Sequence, residues 1–267
     1  MKKLLSRKIL LMSLLLMLGG ALLPSLANAY VLTSGNSTAT VTNTQAGMYE
    51  WIVDRVDQMG QQWFWYRIGS TPERSIDTLT LNSAIQPIPN LLSLNYSGAS
   101  FALTVNYLLT GGLLGSGTSD MAEIISISNT SNSTLDFHFF QYTDFDLRGH
   151  EGDTVSISGG NTAKQVGQGI VTETANVPIP SRLEAALWPS TISKLNDGVA
   201  SNLNNDAGPY TGDATWAFQW DFNLGPGGSF IISKNKHIST VPLPGTMLLL
   251  GGGLLGLVGL GWRRRRS

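Results

Sequence analysis

The sequence predicts an all-β fold: a single antiparallel β-sandwich or jelly-roll-like domain, with a cleaved signal peptide before it and a C-terminal transmembrane helix after it. Three observations predict it. Apolar and polar residues alternate over many short stretches between positions 30 and 235, the period of a strand with one buried face. Ser, Thr, Asn and Gly make up 82 of the 211 residues from 30 to 240, a composition suited to strands joined by tight turns. Two uncharged apolar runs, each beside a group of cations, stand at the two ends of the chain.

The first run belongs to residues 1–29. Lys2, Lys3, Arg7 and Lys8 form a positive start, residues 9–18 an apolar stretch, and Ala27-Asn28-Ala29 an A-x-A cleavage site. These are the three parts of a secretory signal peptide, cut by signal peptidase after Ala29 to leave Tyr30 first. The apolar stretch is short for a membrane span.

The domain follows. Residues 48–59 fit either a helix or a strand. Trp63-Phe64-Trp65-Tyr66 is apolar on both faces, which predicts a central strand covered on both sides. Strands are expected at 100–109, 122–128, 135–139, 154–158 and 168–174, whereas 181–187 and 191–203 fit short helices or loops. Residues 214–224 and 229–233, joined by Gly225-Pro226-Gly227-Gly228, read as a terminal hairpin. Roughly ten to thirteen strands result, enough for a sandwich. One domain is expected at 30–235, with a linker at 236–245; its length can bury a core without disulfides.

The second apolar run, 246–262, carries no charge and is long enough to cross a bilayer at the short end of the range. Arg263, Arg264, Arg265 and Arg266 follow it and stop transfer, because arginines beside a span stay cytoplasmic. Before it stands Val241-Pro242-Leu243-Pro244. Its two prolines fix φ near −65° and push the preceding residues to extended conformations, giving a stiff strip suited to a protease-like groove. The order of Pro-x-Pro turn, Gly/Leu-rich span and terminal arginines resembles the PEP-CTERM sorting signal of Gram-negative bacteria, in a Val-Pro-Leu-Pro variant with Leu243 where a glutamate is usual. The resemblance covers about a tenth of the chain. It implies processing by an exosortase, a membrane cysteine transpeptidase. It also implies passage through the inner membrane to the cell surface or an extracellular polysaccharide matrix.

Composition narrows the chemistry. Eight of the 17 cations lie at the two ends, so residues 30–240 hold nine cations against all 18 acids, a net charge of −9. That balance argues against nucleic acid, which needs clustered Lys and Arg. With no cysteine there is no disulfide framework, thiolate metal site or cysteine nucleophile. No G-x-S-x-G or H-E-x-x-H is present. His138 alternates with Phe137 and Phe139 and should lie opposite the apolar face; His237 should be exposed. Asp144, Asp146, Glu151 and Asp153 offer four carboxylates within ten residues, an oxygen set that calcium accepts, although an acidic turn also accounts for them. No other cofactor is expected. Trp188 precedes Pro189 in a non-periodic segment, which suits an exposed indole and a ligand contact. The glycine-rich stretch 110–120 lacks a Walker lysine and reads as a flexible hairpin loop. The expected function is therefore an exported surface or matrix protein with a non-catalytic structural or adhesive role. A carbohydrate-binding module and a hydrolase with a dispersed site remain as alternatives.

Overall fold

The computed structural model describes residues 29–150 and 152–240. The signal peptide through Asn28, Glu151, the Pro-x-Pro motif, the 246–262 span and the terminal arginines lie outside the described residues. Among the described residues no helix is long and apolar enough to cross a membrane.

The strands, in chain order, begin with β1 (Ala29–Ser34), β2 (Ser37–Thr42), β3 (Met48–Val53), β4 (Val56–Asp57), β5 (Met59–Ile68) and β6 (Arg74–Ser75). A single 3₁₀ turn at Ile76–Thr78 leads into β7 (Thr80–Ile88), β8 (Leu91–Ser97), β9 (Phe101–Gly111), β10 (Thr118–Asn129) and β11 (Leu135–Phe145). Next come β12 (Asp153–Ser158), β13 (Thr162–Val166), β14 (Gly169–Val177) and β15 (Arg182–Leu187). A short helix α1 (Ser190–Lys194), the only α-helix among the described residues, precedes β16 (Tyr210–Gly212), β17 (Ala214–Leu224) and β18 (Ser229–Thr240).

These strands form two sheets with antiparallel pairing between all named strands. The first runs β1-β2-β3-β5-β11-β17-β15, with β4 on β3 and β6 on β5; the second runs β16-β12-β13-β14-β18-β10-β9-β8-β7. The all-β expectation therefore holds, and two facing sheets suit a sandwich. Residues 48–53 and 56–57 are strands joined by a turn at 54–55, not helix, because the β-branched and aromatic side chains of Trp51, Ile52 and Val53 pack well on a pleated surface. Residues 182–187 form a strand and 190–194 a single helical stretch.

The expected terminal hairpin does not form. β17 lies in the first sheet between β11 and β15, and β18 in the second between β10 and β14. Gly225–Gly228 is a crossover between layers, so each strand gains two partners instead of one. β18 also runs to Thr240, five residues past the expected end of the domain.

Alternation decides what each face carries. In β11, Phe137, Phe139, Gln141, Thr143 and Phe145 point toward the second sheet, while His138, Phe140, Tyr142 and Asp144 point away. Phe64 stacks on Phe139 with centroids 5.6 Å apart, and Phe145 on Trp216 at 5.6 Å, within the aromatic core between the layers. The outward face of the first sheet is covered as well. Residues 188–208, including α1, lie over it, and Trp63, Trp65, Arg67 and Phe140 are buried beneath. The doubly apolar Trp63-Phe64-Trp65-Tyr66 strand is central and covered on both sides, as expected.

Candidate functional site

Three places gather polar groups. The first lies in the middle of the sandwich. Glu123 of β10, Glu173 of β14, and Lys234 and Lys236 of β18 all point inward from the second sheet and are fully buried. Each lysine contacts both glutamates; Lys236 Nζ lies 2.7 Å from Glu123 and 3.2 Å from Glu173. The first sheet supplies the remaining partners. Lys236 donates to Gln62 Oε1 at 2.7 Å, Gln141 Nε2 to Glu173 at 2.8 Å, and Trp216 Nε1 to Glu173 at 2.7 Å. Burial would raise the Glu173 carboxyl, but Lys234, Lys236, Gln141 and Trp216 together hold it down at about 2. Two cations balance two anions with solvent excluded, an arrangement that fixes the register of three strands.

The second is the outward face of the first sheet. Register sets Arg67 beside His138 and His138 beside Asp221. His138 Nδ1 sits 2.6 Å from Asp221 Oδ1, and its Nε2 lies 3.5 Å from Asp136 rather than against a hydroxyl. His138 faces away from the core, as its alternation predicts, yet its side chain is only 14% exposed. Asp221 is partly buried, which raises its carboxyl, but hydrogen bonds from His138 and Gln219 and the nearby charges of His138 and Arg182 lower it overall. A Ser-His-Asp relay needs a hydroxyl on the far nitrogen; this imidazole stands between two carboxylates. Arg67 donates to Glu73 at 2.9 Å, to the Ser201 carbonyl at 2.7 Å and to Asn202 at 2.8 Å. Glu184 accepts from Thr191, Lys194 and the Asn204 amide, and Gln219 accepts from the Leu203 amide. These bonds bind the 188–208 segment to the sheet below it.

The third is a cleft of about 600 Å³ at one end of the sandwich, a size that suits a small ligand. Tyr66 and Phe101, with ring centroids 5.0 Å apart, stand among Thr78, Ser97, Ser100 and Arg74. Its lining holds one guanidinium and no carboxylate.

The sequence-derived candidates are redistributed. Asp144 and Asp146 do come together, but their third partner is Asp213, with ligand atoms of all three within 4.8 Å of one another. Asp153 turns inward instead; it accepts from Gln165 at 2.7 Å and from the Leu147 amide at 3.3 Å. Three carboxylates can hold a divalent cation if water completes the six to eight ligands that calcium takes. Trp188 is 54% exposed, as its position before Pro189 suggests, and its amide donates to the Asp213 carbonyl at 2.7 Å. His237 is half-exposed and pairs with Asp120 at 2.9 Å. Ala29 opens β1, paired with Thr42.

Sequence reasoning missed the buried ionic cluster and the Arg67 anchor. A signal existed for the first. Lys234 and Lys236 are spaced by two between Ile232 and Ile238, so all four share one strand face. No comparable signal marks Arg67, two of whose partners, Ser201 and Asn202, lie more than 130 residues away.

Comparison with known proteins adds two findings. Residues 240–266 match the model of the PEP-CTERM protein-sorting motif. No curated protein matches the chain in sequence. Among solved structures, a bacterial glucoamylase complexed with acarbose superposes with a TM-score of 0.59 at 7% identity, over 80% of this chain and 34% of that one. This chain thus spans about a third of the glucoamylase's length. A protein provisionally assigned as an aldose 1-epimerase from Escherichia coli K12 gives 0.57 at 10% identity, over 80% and 99% of the two chains. The Slr1438 protein from Synechocystis sp. PCC 6803 gives 0.53 at 12% identity, over 80% and 96%. At such identities the likeness is one of fold.

Proposed function

We propose that this chain is an exported protein, sorted by an exosortase through its Val241-Pro242-Leu243-Pro244 tail and displayed at the cell surface or in an extracellular polysaccharide matrix. Its role there is structural or adhesive and does not involve catalysis. One observation carries the reading: the sorting motif matched at 240–266 starts on Thr240, the last described residue of β18, so the β-sandwich runs directly into its address. Signal peptidase acts after Ala29, residues 246–262 cross the inner membrane, and Arg263 to Arg266 hold the tail on the cytoplasmic side. The non-catalytic role is supported by the polar floor of the first sheet, whose Arg67, Glu184 and Gln219 are engaged with the segment above them. Fractionation of cells with and without the exosortase tests the proposal. Loss of the enzyme should leave the full-length chain in the inner membrane. An unchanged distribution would refute sorting.

A second reading, a carbohydrate-binding module, is favoured by the cleft. Aromatic rings pack against sugar faces, hydroxyls pair with sugar hydroxyls, and a guanidinium accommodates an acidic sugar. The purified protein on a glycan array tests it: retention that falls on Tyr66→Ala supports binding in the cleft, and an array without signal removes this reading.

A further inference from the structure

The β9–β10 turn carries the two most exposed large apolar side chains among the described residues, Leu113 at 84% and Leu114 at 76%. Leucines in water at a hairpin tip are a cost unless something covers them. The tip is held in shape. The Asp54 carboxylate accepts from the Gly115 amide at 2.6 Å and the Gly117 amide at 2.7 Å, and Asn36 donates to the same carboxylate at 3.0 Å. Ser116 N donates to the Leu113 carbonyl at 3.0 Å, and Gly112 N to the Thr118 carbonyl at 3.1 Å. The glycine-rich stretch is thus a braced turn that presents its leucines, where a flexible loop was expected.

Its position names the partner. Thr240, the last described residue, donates its amide to the Gly117 carbonyl at 2.8 Å, so the described chain ends at the base of this turn. Five residues separate Thr240 from Thr246, and the six steps between them reach about 20 Å at full extension. The same end of the sandwich carries Ile88, half-exposed on the β7–β8 turn, which approaches β1 and β9 through bonds from the Thr33 amide to Pro89 and from the Leu109 amide to Asn90. Exposed Arg55, beside Asp54, adds a cation there. The cleft lies at the opposite end, because Phe101 opens β9 and Gly111 closes it.

We propose that this end of the domain rests on the lipid bilayer, with Leu113 and Leu114 inserted beside the point where the chain enters the membrane and the cleft turned away from it. The inference rests on reading 246–262 as a span. The tip acts as a second, shallow contact that fixes the orientation of the domain before the tail is processed. Arg55 then lies at the level of lipid phosphates.

Because the chain has no cysteine, single-cysteine labelling reports one site at a time. The full-length protein, reconstituted in phosphatidylethanolamine/phosphatidylglycerol vesicles, is labelled with an environment-sensitive fluorophore at Leu113→Cys or Leu114→Cys. Asn132→Cys, on the exposed turn at the other end, serves as the control. Flotation of the vesicles tests the span separately. The expected result is co-flotation, with blue-shifted emission at 113 and 114 that nitroxide-labelled lipids quench at least twofold, and no quenching at 132. Co-flotation with unquenched probes at 113 and 114 overturns the tip contact and leaves the span standing. A blue shift without lipid quenching assigns the tip to a second copy of the chain and also overturns it. Failure to float refutes the span, and the tip contact falls with it.

Discussion

Glu173 is a carboxylate without water around it. Burial alone would raise its carboxyl above the ordinary 4.5, but Lys234, Lys236 and the hydrogen bonds from Gln141 and Trp216 together bring it down to about 2 in the fold. Above pH 4.5 both states are ionised and the full stabilisation is present. As pH falls from 4.5 toward 2 the unfolded chain takes up its proton first, and the stabilisation is lost, by about 3 kcal/mol in total. Denaturation at pH 7 and pH 3 should show about two thirds of this drop, and Glu173→Gln should flatten it. The same substitution at pH 7 leaves Lys234 and Lys236 with an excess of buried positive charge and should cost about 3–5 kcal/mol, read as a lower denaturation midpoint. Asp144, Asp146 and Asp213 give a separate measurement. If they take calcium, millimolar calcium raises the melting temperature and Asp146→Ala abolishes the rise; an unchanged melting temperature removes calcium from this protein.

Among the elements, the 188–208 segment depends most on single residues. Arg67 reaches it through the Ser201 carbonyl and Asn202, and Trp65 Nε1 donates to Asn196 at 3.2 Å. Arg67→Ala removes three hydrogen bonds and leaves the buried Glu73 carboxylate without its cation, held by the Ser201 amide. Limited proteolysis should then cut within 195–206 at a rate at least tenfold above the native protein, while β5 and β11 stay protected. Equal rates would show that the segment is held by other contacts. The β1–β2 turn depends on Gly35. Its φ is +52°, and a Cβ there would approach the Gly112 carbonyl oxygen to 2.3 Å. Gly35→Ala should cost about 1–2 kcal/mol from the left-handed backbone, with the clash added, in a denaturant titration.

The molecule as a whole has two ends with different chemistry. One carries Thr240, the last described residue, and the exposed leucines; the other carries the cleft. Between them lies a domain with a net charge of −9 over residues 30–240, a self-repulsion that opposes association between copies. Sorting should depend on the stiffness of the tail. Replacing Pro242 and Pro244 by alanine frees two φ angles and should leave the uncut chain in the membrane fraction, whereas the sandwich of residues 29–240, which contains neither proline, should melt as before. Normal processing of that variant would mean that the exosortase reads the span or the arginines instead.

Local patterns in the chain sufficed for whatever depends on neighbours in sequence. Strand alternation put Phe137 and Phe139 on one face and His138 on the other, and the doubly apolar Trp63-Phe64-Trp65-Tyr66 marked a strand covered on both sides. The tail motif was equally legible, since a sorting signal must be read as a linear strip. Pairing between distant segments was not legible. Nothing near Gly225–Gly228 states that β17 and β18 part into different layers, because that depends on which partners compete for each edge. Nothing near Asp144 names Asp213, or turns Asp153 toward Gln165. Lys234 and Lys236 resemble surface lysines until folding brings Glu123 and Glu173 from more than 60 residues away, and a buried charge is tolerated only where such partners arrive. Period is a property of a few consecutive residues, whereas burial and ion pairing depend on which surfaces meet once the two sheets close.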